Sequence, residues 1–161
     1  MEFAPQRRAV AHASEATAAV GAATLLREQI AEAYALANAA TAFTTSEHSA
    51  ADLRQLLRER VDANVLDGAR ALRGSDHRFS PADGKPRHAG VIEIRYADAR
   101  VAAARVRPLL GERRFFRGTQ ILTPMVAAAH GDTVVLFFTE SAGDAKLRAT
   151  LAAAAARLRD R

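Results

Sequence analysis

The sequence predicts an α+β fold, with helices in its first half, a short antiparallel sheet in its second and a closing helix. Three observations predict it. Apolar residues recur every three or four positions through much of residues 6–73, the period drops to two at Gly90, and it returns to four and three after Asp144. The chain of 161 residues reads as one domain, 1–161, with no internal repeat. At this length a fold buries roughly two thirds of the surface of the unfolded chain.

The first element expected is one long helix over residues 6–42. Pro5 suits its start, because a missing N–H costs nothing in a first turn. Leu26, Ile30, Ala33 and Ala37 mark one face of it. Upstream, Val10, Ala13, Thr17 and Val20 form a face of small residues, a candidate for close packing against a neighbouring subunit. Residues 43–49 are polar and interrupt the pattern. Ser49 reads as an N-cap for a second helix over 50–73, with a stripe of Leu53, Leu57, Val61, Val65 and Leu72 and with Gly74 as its stop.

Residues 74–90 hold three Gly, two Pro, two Asp and two Ser, a composition that predicts a long loop. Val91, Ile92, Ile94 and Tyr96 then alternate as a strand, with Glu93 and Arg95 assigned to its outer face. Residues 98–107 fit either a helix or a strand, closed by Pro108. A further strand is expected over 115–123. A hairpin follows, 125–129 with 133–139, around His130-Gly131-Asp132. The last helix, near 144–160, carries Leu147, Leu151, Ala154 and Leu158 on one face. Short connections make the sheet antiparallel, with the helices expected on one of its faces.

Composition bounds the chemistry. The net charge is +5, carried by 21 Arg and only 2 Lys, and cysteine is absent, which rules out disulfides, thiolate metal sites and a Cys nucleophile. No run of about 18 apolar residues is present. Nucleophile elbows, phosphate-binding Gly loops and zinc-helix motifs are missing too. No catalytic residue, cofactor or metal site is therefore assigned. His77 and His88 share the 74–90 segment with Asp76 and Asp83, the one place where acid–base or metal chemistry would be sought. Arg105, Arg107, Arg113, Arg114 and Arg117, interleaved with Phe115 and Phe116, have the composition of a nucleic-acid or anion grip. The same residues also describe a strand edge protected by charge.

Four fragments, in order, resemble type IV pilins. Residues 3–16, a proline leading into an Arg- and Ala-rich run that ends Glu15-Ala16, resemble the stretch just past the pilin membrane anchor. Residues 26–34, Leu-Arg-Glu-Gln-Ile-Ala-Glu-Ala-Tyr, are similar to the end of the pilin spine helix. Gly90 to Tyr96 is similar to the first strand of the pilin sheet, and Gly118 to Pro124 followed by Gly131 to Leu136 to later strands. The chain departs from the family in lacking its C-terminal disulfide and in carrying the helices near 50–73 and 144–160.

The resemblance implies a long N-terminal helix packed on a short antiparallel sheet. It also implies a hydrophobic N-terminal anchor upstream of residue 3, methylated at its N-terminus and absent from this sequence. The function implied is a non-catalytic subunit of a type IV pilus (fimbrium) or related filament, serving cell adhesion, motility, secretion or DNA uptake. Its partners would be other pilin subunits, the assembly machinery and DNA, and its place the bacterial cell surface after anchoring in the inner membrane. Two other classes remain: a soluble binding, adaptor or immunity-type module, and an enzyme using the 74–90 segment.

Overall fold

A computed structural model describes residues 21–34, 43–61, 63–110, 126–141 and 143–160. Within them the chain is α+β, with helices on both faces of a five-stranded antiparallel sheet of order β1-β2-β3-β5-β4. The first helix, α1, covers 21–33. The remainder of the helix expected over 6–42, including Val10, Ala13, Thr17 and Val20, lies outside the described residues, apart from Tyr34 in a turn.

The strands are β1 (Thr44–Glu47), β2 (Ala71–Phe79), β3 (Arg87–Arg95), β4 (Val126–His130) and β5 (Thr133–Phe138). Helix α2 (Ala50–Arg60) precedes β2, α3 (Ala99–Val106) follows β3, and α4 (Ala145–Arg159) follows β5. The helices start where side chains cap them. Ser49 Oγ accepts from the Asp52 N–H at 3.1 Å, Asp98 Oδ1 from the Val101 N–H at 2.9 Å, and Asp144 Oδ1 from the Leu147 N–H at 2.9 Å.

Three expectations are corrected. First, α2 ends at Arg60. A 3-10 turn, Ala63–Leu66, follows, and Gly68 at φ 78° redirects the chain into β2. The apolar positions Val65 and Leu72 continue the helical period by coincidence, because one sits in that turn and the other in a strand.

Second, most of 74–90 is a hairpin. Cα partners run from Ala71 with Arg95 to Phe79 with Arg87, and only 80–86 turn. That turn is closed by the Gly84 N–H to Pro81 O at 2.8 Å and by the Lys85 N–H to Asp83 Oδ1 at 2.9 Å. Residues 44–47, expected as irregular chain, form β1 at the sheet edge.

Third, helices cover both faces of the sheet. Ala22, Leu25, Leu26 and Ile30 of α1 pack with Leu147, Leu151 and Ala154 of α4 against Phe79, Val91, Val135 and Phe137. On the other face Leu53 and Leu57 of α2 and Ala102 and Val106 of α3 pack against Ile92, Ile94, Val134, Leu136 and Phe138. A sheet buried on both faces needs consecutive apolar residues, and Val134 to Phe138 are all buried. The ambiguous 98–107 segment is helical to Val106, and the hairpin at His130–Thr133 is as expected. The strand expected over 115–123 lies outside the described residues.

Two glycines in the β2–β3 hairpin mark where the second layer presses closest. A Cβ at Gly74 would lie 2.7 Å from Leu53 Cδ2, and one at Gly90 would lie 1.9 Å from Phe138 Cζ. Phe138 is 5% exposed and hemmed in by the α2/α3 layer, so its ring has little room to retreat. Gly90→Ala is expected to cost about 1–3 kcal/mol by overpacking, read from urea unfolding. A change under about 0.5 kcal/mol, the size of an ordinary surface substitution, would show that the ring moves freely.

Candidate functional site

Strand β1 is short, and that opens a cleft. It pairs only with Ser75 to Arg78 of β2. Beyond Glu47 the last bond to this edge is the His48 N–H to Gly74 O at 3.0 Å. The edge at Leu72 and Arg73 is thus left beside α1, and a cavity of about 350 Å³ opens there. Ala23 and Thr24 of α1 form one side, and Thr45, Glu47, Arg73, Ser75 and Glu93 bring polar groups to the rest. A cleft with a few convergent polar groups is the usual form of a small-ligand site.

Glu93 is the distinctive group in it. The alternation of β3 puts Glu93 on the same face as Val91, under the α1 layer, which corrects its assignment to the outer face. It is half-buried, and burial pushes its carboxyl up to about 7, against a weaker opposing pull from Arg73, its cross-strand partner. Among the described residues no ion pair reaches it. A carboxylate held at this disadvantage inside a cleft is a functional-site candidate.

The 74–90 segment supplies a second cluster, split across the sheet by the period of two. Asp76 and His88 face the α2 side. Asp76 Oδ2 is 2.5 Å from His48 Nε2, and Asp76 Oδ1 is 3.2 Å from His88 Nε2. Glu140 Oε2 lies 3.7 Å from His88 Nδ1. Burial pushes the Asp76 carboxyl up, but His88 and His48 together outweigh it and hold Asp76 below the usual carboxylate range, while the Asp76 carboxylate raises His88. His77 faces the α1 side, between Thr45 Oγ1 at 3.2 Å and Ser75 Oγ at 3.3 Å. Burial lowers it, so it is neutral at pH 7. Asp83 is separate, paired with Arg87 Nη2 at 2.7 Å in the turn.

This cluster does not read as a metal centre. Two ligands of one zinc ion sit about 3.2–3.5 Å apart when each bond is near 2.0–2.1 Å, whereas His48 and Asp76 are in hydrogen-bond contact. Among the described residues no group of three or more such side chains is spaced for a metal ion. It does not read as a nucleophilic triad either. Ser75 touches His77, but His77 is 2% exposed and its second nitrogen is occupied by Thr45.

The cluster has a pH signature. The stabilisation from His88 is fully present below its unfolded value near 6.5 and is lost as pH rises through its raised folded value. That from Asp76 is present above 3.8 and is lost on acidification below it. His88→Gln should therefore cost about 1–2 kcal/mol near pH 5.5 and measurably less near pH 8.5, in paired urea titrations. An equal cost at both pH values would remove the charged pair from this account.

Of the arginines proposed as an anion grip, Arg105 lies on α3 and Arg107 in the 3-10 turn after it. Arg105 Nε donates to Asp67 O at 3.2 Å. Arg113, Arg114 and Arg117 lie outside the described residues. His77, His88 and Asp76 share one segment of the sequence, whereas His48 is remote from them in the chain and the burial of Glu93 depends on α1. No helix among the described residues is long and apolar enough to cross a membrane. Comparison of the chain with family models, with curated proteins and with solved structures finds no significant match in any of the three.

Proposed function

We propose that this domain is a non-catalytic binding module whose ligand enters the cleft between α1 and the β1–β2–β3 edge. One observation carries the reading: a cavity of about 350 Å³ lined by Glu47, Arg73, Ser75 and the half-buried Glu93. The occlusion of His77 supports a binding role over a catalytic one, since a general base must reach the proton it takes. Ala23, small and at the cleft wall, gives the test. Ala23→Phe fills the cavity from the α1 side. It is expected to abolish ligand-induced amide shifts at Thr45, Ser75 and Val91 while leaving the fold and its spectrum otherwise unchanged. Binding that survives in the folded variant would place the ligand elsewhere.

A second reading, the filament subunit implied by the pilin resemblance, is favoured by the packing of α1. Its stripe of Ala22, Leu25, Leu26 and Ile30 lies on the sheet as a spine helix would. In this reading the helix is longer, running from about residue 6 through the small-residue face to the sheet. The test is fractionation of the native gene product. A filament subunit is found in membranes and in sheared surface fibres, whereas a binding module is found in neither. Should such a filament take up DNA, retention would fall steeply with salt and vanish when Arg105, Arg107, Arg113, Arg114 and Arg117 are changed to Ser.

A further inference from the structure

We infer that the cleft takes a small molecule bearing a primary ammonium group, with the Glu93 carboxylate as its buried counter-ion. The inference rests on the binding-module reading above and names the chemistry of its ligand.

Among the described residues Glu93 has no ion-pair partner. A half-buried carboxylate is normally paired, because removing it from water is costly without a partner. Its register partner Arg73 is exposed, and no ion pair joins the two. Among the described residues, the cleft therefore presents an acceptor whose complement is missing. A primary ammonium supplies it: one charge, three donors and a small head.

The remaining donors also find acceptors. Thr24, Thr45 and Ser75 line the same walls, the last two with hydroxyls that also contact His77, and Glu47 adds a second carboxylate. Among the described residues, the titratable and charged groups lining the cleft are Glu47, Glu93, His48 and Arg73, two carboxylates beside one permanent cation and one histidine. A carboxylate ligand would have to approach Glu93 and Glu47 and would gain only Arg73. A neutral ligand would leave the ionised Glu93 uncompensated. The volume suits a small molecule and excludes a folded partner. Because Glu93 ionises only near neutrality, ammonium binding must strengthen as pH rises through about 7.

The test uses three probes of one shape: n-butylamine, 1-butanol and butyrate, each titrated into the full chain at about pH 8 and followed by amide shifts. Butylamine is expected to shift Thr45, Ser75, Val91 and Glu93 and to bind about tenfold or more tighter than butanol, the yield of one charge-assisted hydrogen bond. It should also lower the Glu93 carboxyl, seen directly in carboxyl carbon titration. In Glu93→Gln, checked for an unchanged amide spectrum, the preference for amine over alcohol should disappear.

Equal binding of amine and alcohol, or tighter binding of butyrate, would overturn the inference while leaving a ligand in the cleft. So would an amine preference that survives Glu93→Gln. If a broader set of small molecules also left the cleft amides unmoved, the binding-module reading itself would fall, and the ammonium inference with it.

Discussion

Replacing Asp144 by alanine is expected to lower stability by about 3–4 kcal/mol, from a lost cap of about 1 kcal/mol and a broken ion pair that is only part-buried and so costs less than a fully buried one. One carboxylate joins three elements here. Its Oδ2 accepts from the Tyr34 hydroxyl at 2.5 Å and from Arg87 Nε at 2.5 Å, and its Oδ1 caps α4 through the Leu147 N–H at 2.9 Å. The Asp144 and Arg87 side chains are only 11% and 14% exposed, so water replaces only part of what is lost.

The Asp144 network also shows in its titration. Burial pushes the Asp144 carboxyl up, but the bonds from Tyr34, Leu147 and Arg87 outweigh it and hold the group below its usual value of 3.8. A depressed carboxylate gives stability that is present above its unfolded value and is lost as pH falls through the folded one. The same bond, with burial, raises the Tyr34 phenol above its ordinary value.

Asp144→Asn separates the contributions. Asparagine caps a helix about as well as aspartate, so this variant should lose only the charge, about half the alanine cost. Tyr34→Phe should be strongly non-additive with Asp144→Ala, because the two share one bond. Urea unfolding at pH 7 measures all three. An alanine variant within about 1 kcal/mol of the parent, no more than the loss of a cap, would mean that the network forms without stabilising the fold. The consequence reaches the cleft: Tyr34 ends α1, the helix whose other described end walls the ligand site.

The distance between what the sequence suggested and what the fold does is instructive at particular residues. Periodicity found α4 and the β4–β5 hairpin because each is set by local signals: a clean 4-3-4 stripe in one, a Gly-Asp turn between β-prone runs in the other. Strand β2 was hidden because its middle reads Gly74-Ser75-Asp76-His77, the vocabulary of a loop. Those residues are in a strand for tertiary reasons. Gly74 makes room for Leu53, Asp76 is met by His48 and His88, and His77 is satisfied by Thr45 and Ser75. Asp67-Gly68 is a turn signal that argues against one helix running to residue 73, and the chance alignment of Val65 and Leu72 with the helical period hides it.

The second helical layer was also legible, in Val134 to Phe138. Five consecutive apolar residues cannot all face one side of a sheet, so an uninterrupted run means two covered faces. Glu93 was not legible. Its neighbours Ile92 and Ile94 alternate with it correctly, and an acidic residue between them reads as an outward charge. Only the placement of α1 over that face turns it inward. His48 joins Asp76 through the β1–β2 pairing, and no spacing along the chain announces that.

Glu93→Gln is expected to stabilise the domain by up to about 3 kcal/mol at pH 9 and by almost nothing at pH 4.5, from a shift of 4.5 to about 7 at 1.36 kcal/mol per unit. The sign follows from proton binding. Between these two values the folded chain holds a proton that the unfolded chain has released. The stability linked to Glu93 is therefore complete below about 4.5 and declines as pH rises through 7. Glutamine keeps the shape and never ionises, so the variant should lack that decline. Urea midpoints at three pH values measure the divergence. Parallel curves would mean that Glu93 is as well solvated folded as unfolded, and the cleft would lose its distinctive group. The expected result has the form of a stability–function exchange: the change that makes the fold more robust at alkaline pH is also the one that removes the counter-ion from the cleft. A residue retained only for the fold would give the opposite pattern, losing stability on replacement. The pH dependence of one substitution thus separates a site from a structural accident before any ligand is known.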